Sequence, residues 1–138
     1  MPSTGKPCAD GQWQVTPGKP SCAHAGSFRI LPPPIASADL SLVEHYDAAA
    51  AALIHRGLIP QGSDDRWFLY CADDWMHVHR SWTGAQVFAV RLAPLPGGGT
   101  VLIGGWVSRD RTQYQGDDLL EEAQLVRDLI ASHLLNRY

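Results

Sequence analysis

The sequence predicts an α+β domain: a four-stranded antiparallel meander flanked by an N-terminal and a C-terminal helix, both packed on one face. Three observations carry this. Four apolar runs follow one another between residues 66 and 107, joined by connections too short for a parallel crossover. A stretch with apolar residues at helical spacing precedes them and a second follows. The 138 residues leave room for one domain, and 45% hydrophobic content is enough to fill its core.

Residues 1–36 are dense in Pro, Gly and Ser and close on Pro32-Pro33-Pro34, so they read as an arm that no helix can run through. Short extended pieces are expected at Ser27–Leu31 and Gln12–Val15, as edge strands pairing with each other. Residues 37–138 are the α+β domain. Ser37 offers an N-cap for a helix reaching about Arg56, with Leu40, Val43, Ala50 and Ile54 on its apolar stripe and Gly57 as its stop. The strands follow at about Arg66–Ala72, Trp75–Arg80, Ala85–Ala93 and Thr100–Val107. The last helix begins near Asp117 or Asp118, where acidic residues suit the positive end of the helix dipole. Leu119, Ala123, Val126, Ile130 and Leu134 form its buried stripe.

Registers follow if the turns are regular. A two-residue turn at Asp73-Asp74 sets Tyr70 opposite His77 and Phe68 opposite His79. A four-residue turn at Ser81–Gly84 then sets His77 opposite Phe88 and Trp75 opposite Val90. One face carries Phe68, Tyr70, Trp75, His77, His79, Phe88, Val90, Val101 and Ile103. The other carries Trp67, Leu69, Cys71, Met76, Val78, Arg80, Val87, Ala89, Arg91, Leu102 and Trp106. Both are largely apolar, so both must be covered, one by the helices and the other by the arm, a second subunit or a ligand. One bulge would exchange the lists beyond it.

A formal charge of -3 disfavours a general nucleic-acid binder, and no nucleic acid is expected as a partner. Charged residues make up only 18% of the chain, while Trp occurs five times. That combination suggests a partly apolar surface and a homodimer. No run approaches the roughly 18 apolar residues of a membrane span. Met1–Asp10 holds no apolar signal core, so cytoplasmic residence is expected, with Cys8, Cys22 and Cys71 most simply reduced, although a Cys8–Cys22 bridge stays open.

Three clusters carry chemistry. His77-Val78-His79 places two imidazoles on one side of a strand, roughly 6.5–7 Å apart by twice the strand rise. That spacing suits an acid–base pair or two metal ligands, but a third ligand would have to come from Asp73, Asp74, His24 or Cys22. No metal or other cofactor is therefore expected. The plainer reading makes His77 a core histidine between Tyr70 and Phe88, with His79 half exposed. Arg80-Ser81-Trp82-Thr83-Gly84 concentrates an anion-binding fork, two hydroxyls and an indole at a hairpin tip. It serves either as a ligand contact or as a turn whose hydroxyls bond its own backbone. Arg109, with Tyr114 behind it, lies between the last strand and the last helix, where ligand contacts and helix-entry turns both occur.

The segments Arg66-Trp67-Phe68-Leu69-Tyr70, His79-Arg80-Ser81-Trp82-Thr83-Gly84 and Val107-Ser108-Arg109-Asp110 with Gln113-Tyr114 resemble a family of small uncharacterised bacterial proteins. Its members show a W-F-x-Y, H-R-S-W-T-G and N-R-D-x-x-Q-Y series, and the similarity spans about residues 64–135. This chain departs at Ser108, where the pattern has Asn, and the arm with Cys8, Trp13 and Cys22 lies outside it. The resemblance implies a shared domain and no particular activity. The expected function is a non-catalytic binding domain that engages a small anionic ligand or a partner protein through residues 80–84, with Arg109 and Tyr114 nearby. The alternative is a hydrolase acting on a phosphate- or nucleotide-like substrate, with His77 and His79 as acid and base. No convincing nucleophile or carboxylate pair supports it.

Overall fold

The computed structural model describes residues 22–62 and 64–135. The expected strand at Gln12–Val15 and Cys8 lie outside them. Five antiparallel strands, β1 (Ser37–Tyr46), β2 (Trp67–Ala72), β3 (Trp75–Arg80), β4 (Gln86–Pro94) and β5 (Thr100–Ser108), form one sheet in the order β1-β5-β4-β3-β2. Two helices, α1 (Ala48–Arg56) and α2 (Leu119–Leu129), accompany it, and α2 runs on into a π-helical turn, Ile130–Leu134.

The fifth strand corrects the sequence reading. The first ten residues of the expected 37–56 helix are β1, paired along β5 from Ser37 opposite Ser108 to Tyr46 opposite Thr100. Leu40 and Val43, three apart, fit a helical stripe, but an irregularity in the ladder between them serves the strand equally well. Leu40 and Leu42 turn inward while Val43 stays 62% exposed. The helix begins only where Asp47, as N-cap, accepts from the Ala50 N–H ahead of the alanine run. No ladder forms at Ser27–Leu31 either: Ala25–Ser27 is a single 3-10 turn, capped by His24 and Ser27.

The β2–β3 register is the expected one, with Ala72 opposite Trp75, Tyr70 opposite His77 and Phe68 opposite His79. Between β3 and β4 the expected register survives only at the tip. His79 faces Gln86, but Val78 then faces Phe88, which leaves Val87 as an extra residue. His77 therefore faces Ala89 and Trp75 faces Arg91. Phe88 and Val90 move to the helix-covered face, while Ala89 and Arg91 change sides in the opposite sense; a second irregularity, in the β4–β5 ladder between Val90 and Leu92, turns Trp106 to the side of its partner Ala89 while Leu102 keeps its place. At Gly105 the β4 backbone comes so close that a Cβ would collide with the Ala89 carbonyl, so only glycine fits.

The main core joins Ile54 of α1 and Ala123, Val126 and Leu129 of α2 to Leu69, Met76, Val78, Phe88, Val90 and Leu102 of the sheet. A smaller cluster on the opposite face holds Phe68 and Tyr70 under Ala23 and Phe28, so residues 22–31 cover that corner. Further along the same face Ile103, paired with Val43, is 45% exposed.

Candidate functional site

One end of the sheet collects every predicted site segment except the middle of β3. There β2 and β4 begin and β3 and β5 end, so residues 65–67, 80–85 and 108–114 converge. The 81–85 connection is a tight turn: the Gly84 N–H donates to the Arg80 carbonyl, and the Arg80 N–H donates to the Ala85 carbonyl. Gly84 takes φ 82°, the left-handed conformation that glycine adopts without strain. The Ser81 hydroxyl donates to the Asp65 carbonyl at 2.6 Å, and the Thr83 hydroxyl accepts from the Ala85 N–H. Both predicted hydroxyl contacts thus go to backbone.

Arg80 and Trp82 behave differently. The Arg80 guanidinium lies 5.4 Å from the ring centre of Trp67, its cross-strand partner, and is exposed. Trp82 is 58% exposed. The Arg66 guanidinium stands 5.9 Å from the Trp82 ring, and Arg29 donates to the Trp82 carbonyl at 3.0 Å. Two guanidinium–indole pairs, Arg66–Trp82 and Arg80–Trp67, thus lie at this end of β2 and β3, the second on the helix-covered face and the first next to Arg29. Each leaves donors for an anion beside a large apolar surface.

Arg109 and Tyr114, predicted as ligand contacts, are committed internally. Arg109 forms a fork on the buried Glu122 carboxylate, at 2.9 and 2.7 Å, and also donates to the Ser108 and Gly116 carbonyls. The Tyr114 hydroxyl donates to the same carboxylate at 2.7 Å. Glu122 holds the Arg109 guanidinium above its ordinary pKa. Burial first, then the bond to Glu122, holds the Tyr114 phenol well above its usual value. Asp110 accepts from the Thr112 hydroxyl and N–H, which hold its carboxyl below the usual range. This loop docks α2 against the sheet end.

The histidines reverse the expected roles. His79 is the sealed one, at 1% exposure, with Nδ1 2.8 Å from the Gly84 carbonyl and Nε2 buried without a partner. His77 is half-buried, its Nδ1 accepting from the Gln86 amide at 2.8 Å. Both rings stack on Tyr70, at 4.8 Å for His77 and 5.7 Å for His79. Burial lowers both pKa values, and for His77 the neighbouring His79 lowers it further against an opposing pull from Asp73. Two neutral imidazoles in an aromatic stack are poorly placed for acid–base work. Among the described residues no group of three His, Cys, Asp or Glu is arranged to hold a metal ion. The reduced state expected of the cysteines fails at Cys22, which is disulfide-bonded, while Cys71 is reduced and points its Sγ at the Ile54 carbonyl, 3.4 Å away. Disulfides belong mainly to oxidising compartments, which sits uneasily with the cytoplasmic residence expected above. None of the described helices is long and apolar enough to cross a membrane.

Sequence reasoning missed Arg29, Arg66 and Glu122. Arg66 could have been found, because it precedes Trp67 and so falls across the strand pair from the hairpin tip. Glu122 also left a trace, as a carboxylate in line with Val126 and Leu129 on the buried stripe of α2. Arg29 left none, since it reaches Trp82 across 53 residues of chain.

No protein-family model, curated protein or solved structure matches this chain. The site stands on its own geometry.

Proposed function

We propose that the chain is a non-catalytic binding domain that engages an anionic ligand or the acidic surface of a partner protein at the Arg66–Trp82 and Arg80–Trp67 pairs. The observation that carries this reading is the exposure of Trp82, 58% of a large indole at a hairpin tip with a guanidinium over its ring. Exposing such a ring to water gains nothing for the fold, and Trp and Arg are the residue types that dominate binding hot spots. Ser81, Thr83, Arg109 and Tyr114 serve by shaping the platform. Among the described residues nothing favours the hydrolase reading: Arg109 is committed to Glu122, His79 is sealed, and His77 is half-buried in the stack on Tyr70.

The same reading retains a homodimer as the assembly. Within the described residues, 22–31 cover the Phe68–Tyr70 corner of the sheet face opposite the helices, and Val43 and Ile103 stay exposed beyond it.

The test is tryptophan fluorescence titration with inorganic phosphate, citrate, a mononucleotide and a poly-glutamate peptide. At least one of these should bind and quench the wild type, and Trp82→Ala and Arg66→Ala should each lose that response. Equal responses in wild type and variants would remove the site.

A further inference from the structure

Residues 22–31 form a strap over the corner of the sheet. The Ala23 N–H donates to the Arg56 carbonyl at 2.8 Å, and the Phe28 ring lies 5.8 Å from that of Phe68. Arg29 donates to the Trp82 carbonyl, and the Leu31 N–H donates to the Gly84 carbonyl at 2.9 Å. Gly84 is thus the point where strap and hairpin meet, and a Cβ there would come within 3.2 Å of Arg29 Cγ. The Gly84 carbonyl is shared. It also lies 2.8 Å from Nδ1 of His79, whose ring is 6.0 Å from that of Phe68.

A carbonyl only accepts, so Nδ1 carries the hydrogen and Nε2 is left as a buried lone pair. An unused acceptor is tolerable there, but a proton on Nε2 would be a donor and a charge with nothing to receive it. We propose that His79 is an acid-sensitive latch: protonation of its Nε2 releases the 22–31 strap from Gly84 and Phe68, because only release brings water to the ring. The release needs no ligand and does not depend on the binding role proposed above.

Around His79, burial disfavours the charged ring, while the Gly84 carbonyl, which accepts from Nδ1 in either state, opposes it. From β2 comes Tyr70, a neutral phenol whose pKa burial raises. From β3 comes His77, stacked on the same Tyr70, and Asp73 at the turn acts on His77. β4 contributes the uncharged Gln86, and the strap contributes Arg29, a further cation. Arg80 follows His79 in the chain but lies over Trp67, and Arg66 lies over Trp82. His24 belongs to the strap itself, where its Nδ1 accepts from the Gly26 N–H at 3.2 Å and its ring is exposed.

Hydrogen exchange read amide by amide between pH 7.5 and 4.5, corrected for intrinsic rates, tests the latch. The opening equilibria of the Leu31 and Ala23 amides should grow about tenfold per pH unit below about 6.5, then level off once the closed form itself titrates. Amides within β4 and β5 should stay protected. His79→Asn, which keeps a donor near the Nδ1 position but cannot titrate, should abolish the pH dependence, whereas His24→Asn and His77→Asn should preserve it. A rise that persists in His79→Asn, or one that vanishes in His24→Asn, overturns the proposal. The wild type alone gives a second readout if the variant does not fold. NMR titration of His79 should show a midpoint below 6.5, the ordinary value, coinciding with the plateau of Leu31 opening. Titration of His79 with Leu31 protection unchanged would equally overturn it.

Discussion

Two segments at the same end of the sheet use the same kinds of side chain to opposite ends. The 80–85 turn and the 109–118 loop each combine arginine, an aromatic ring and hydroxyl groups. In the loop, Arg109 and Tyr114 converge on Glu122, which is 4% exposed, so the polar groups satisfy one another and the cluster closes. In the turn, the hydroxyls satisfy the backbone while Arg66 lies over the Trp82 ring and Arg80 over that of Trp67. What separates them is a buried carboxylate. An arginine beside one becomes part of the fold, and an arginine over an exposed indole keeps its donors for something else.

The sharpest way to break this comparison is Arg109→Ala. It would strand Glu122 with only the Tyr114 hydroxyl, and urea unfolding should show a loss of about 3 kcal/mol, as for removal of one partner from a buried pair. A loss below about 1 kcal/mol would return Arg109 to the binding surface.

Acid should act next, through the neutral histidines. The folded-state pKa values of His77 and His79 lie below the ordinary 6.5, so the unfolded chain binds protons more readily. Their contribution to stability is complete above about pH 6.5 and is lost as pH falls from there toward the folded-state values. Urea midpoints should therefore be lower at pH 5 than at pH 7.5. His77→Asn with His79→Asn should flatten that difference, and a midpoint that rises toward pH 5 would contradict the assignment. Asp110 acts lower down. Its depressed carboxyl supports the fold above about pH 4 and is lost only below that.

Arg80→Ala is expected to cost about 0.5–1 kcal/mol, the size of a partly exposed cation–π contact on Trp67. The smallest effects on stability belong to Trp82→Ala and Arg66→Ala, each within about 0.5 kcal/mol in thermal melts. A large drop for Trp82→Ala would make the tip a folding element like the loop, and the difference between the two regions would disappear. Light scattering sharpens the account of the open face: a dimer should form at tens of micromolar, and Val43→Glu with Ile103→Glu should return it to monomer.

Legibility followed the range of the interactions. The Asp73-Asp74 turn and the β2–β3 register could be read because two adjacent residues set them, and both take positive φ, at 54° and 67°. The tip of the next hairpin was legible for the same reason, but the Val87 bulge beyond it was not, and it moved Phe88, Val90, Ala89 and Arg91 across the sheet, while a second irregularity, in the β4–β5 ladder, moved Trp106. The segment 37–46 satisfied both a helical and a bulged-strand pattern. The choice fell to β5, whose free edge supplies backbone partners on both sides of the irregularity, groups that a helix would otherwise bond within itself.

The sequence by itself determined the α+β class, the spans of four strands, the start of α2 at its Asp118 cap, and the 80–84 tip as the place where arginine and tryptophan gather. These depend on turn chemistry, capping and periodicity within a few residues. Tertiary structure alone decided which strand lies at the far edge, which histidine is sealed, and that Arg109 answers to Glu122 while Arg66 and Arg29 attend Trp82. Each of those pairings joins residues far apart in the chain, and only packing brings such groups within reach of one another.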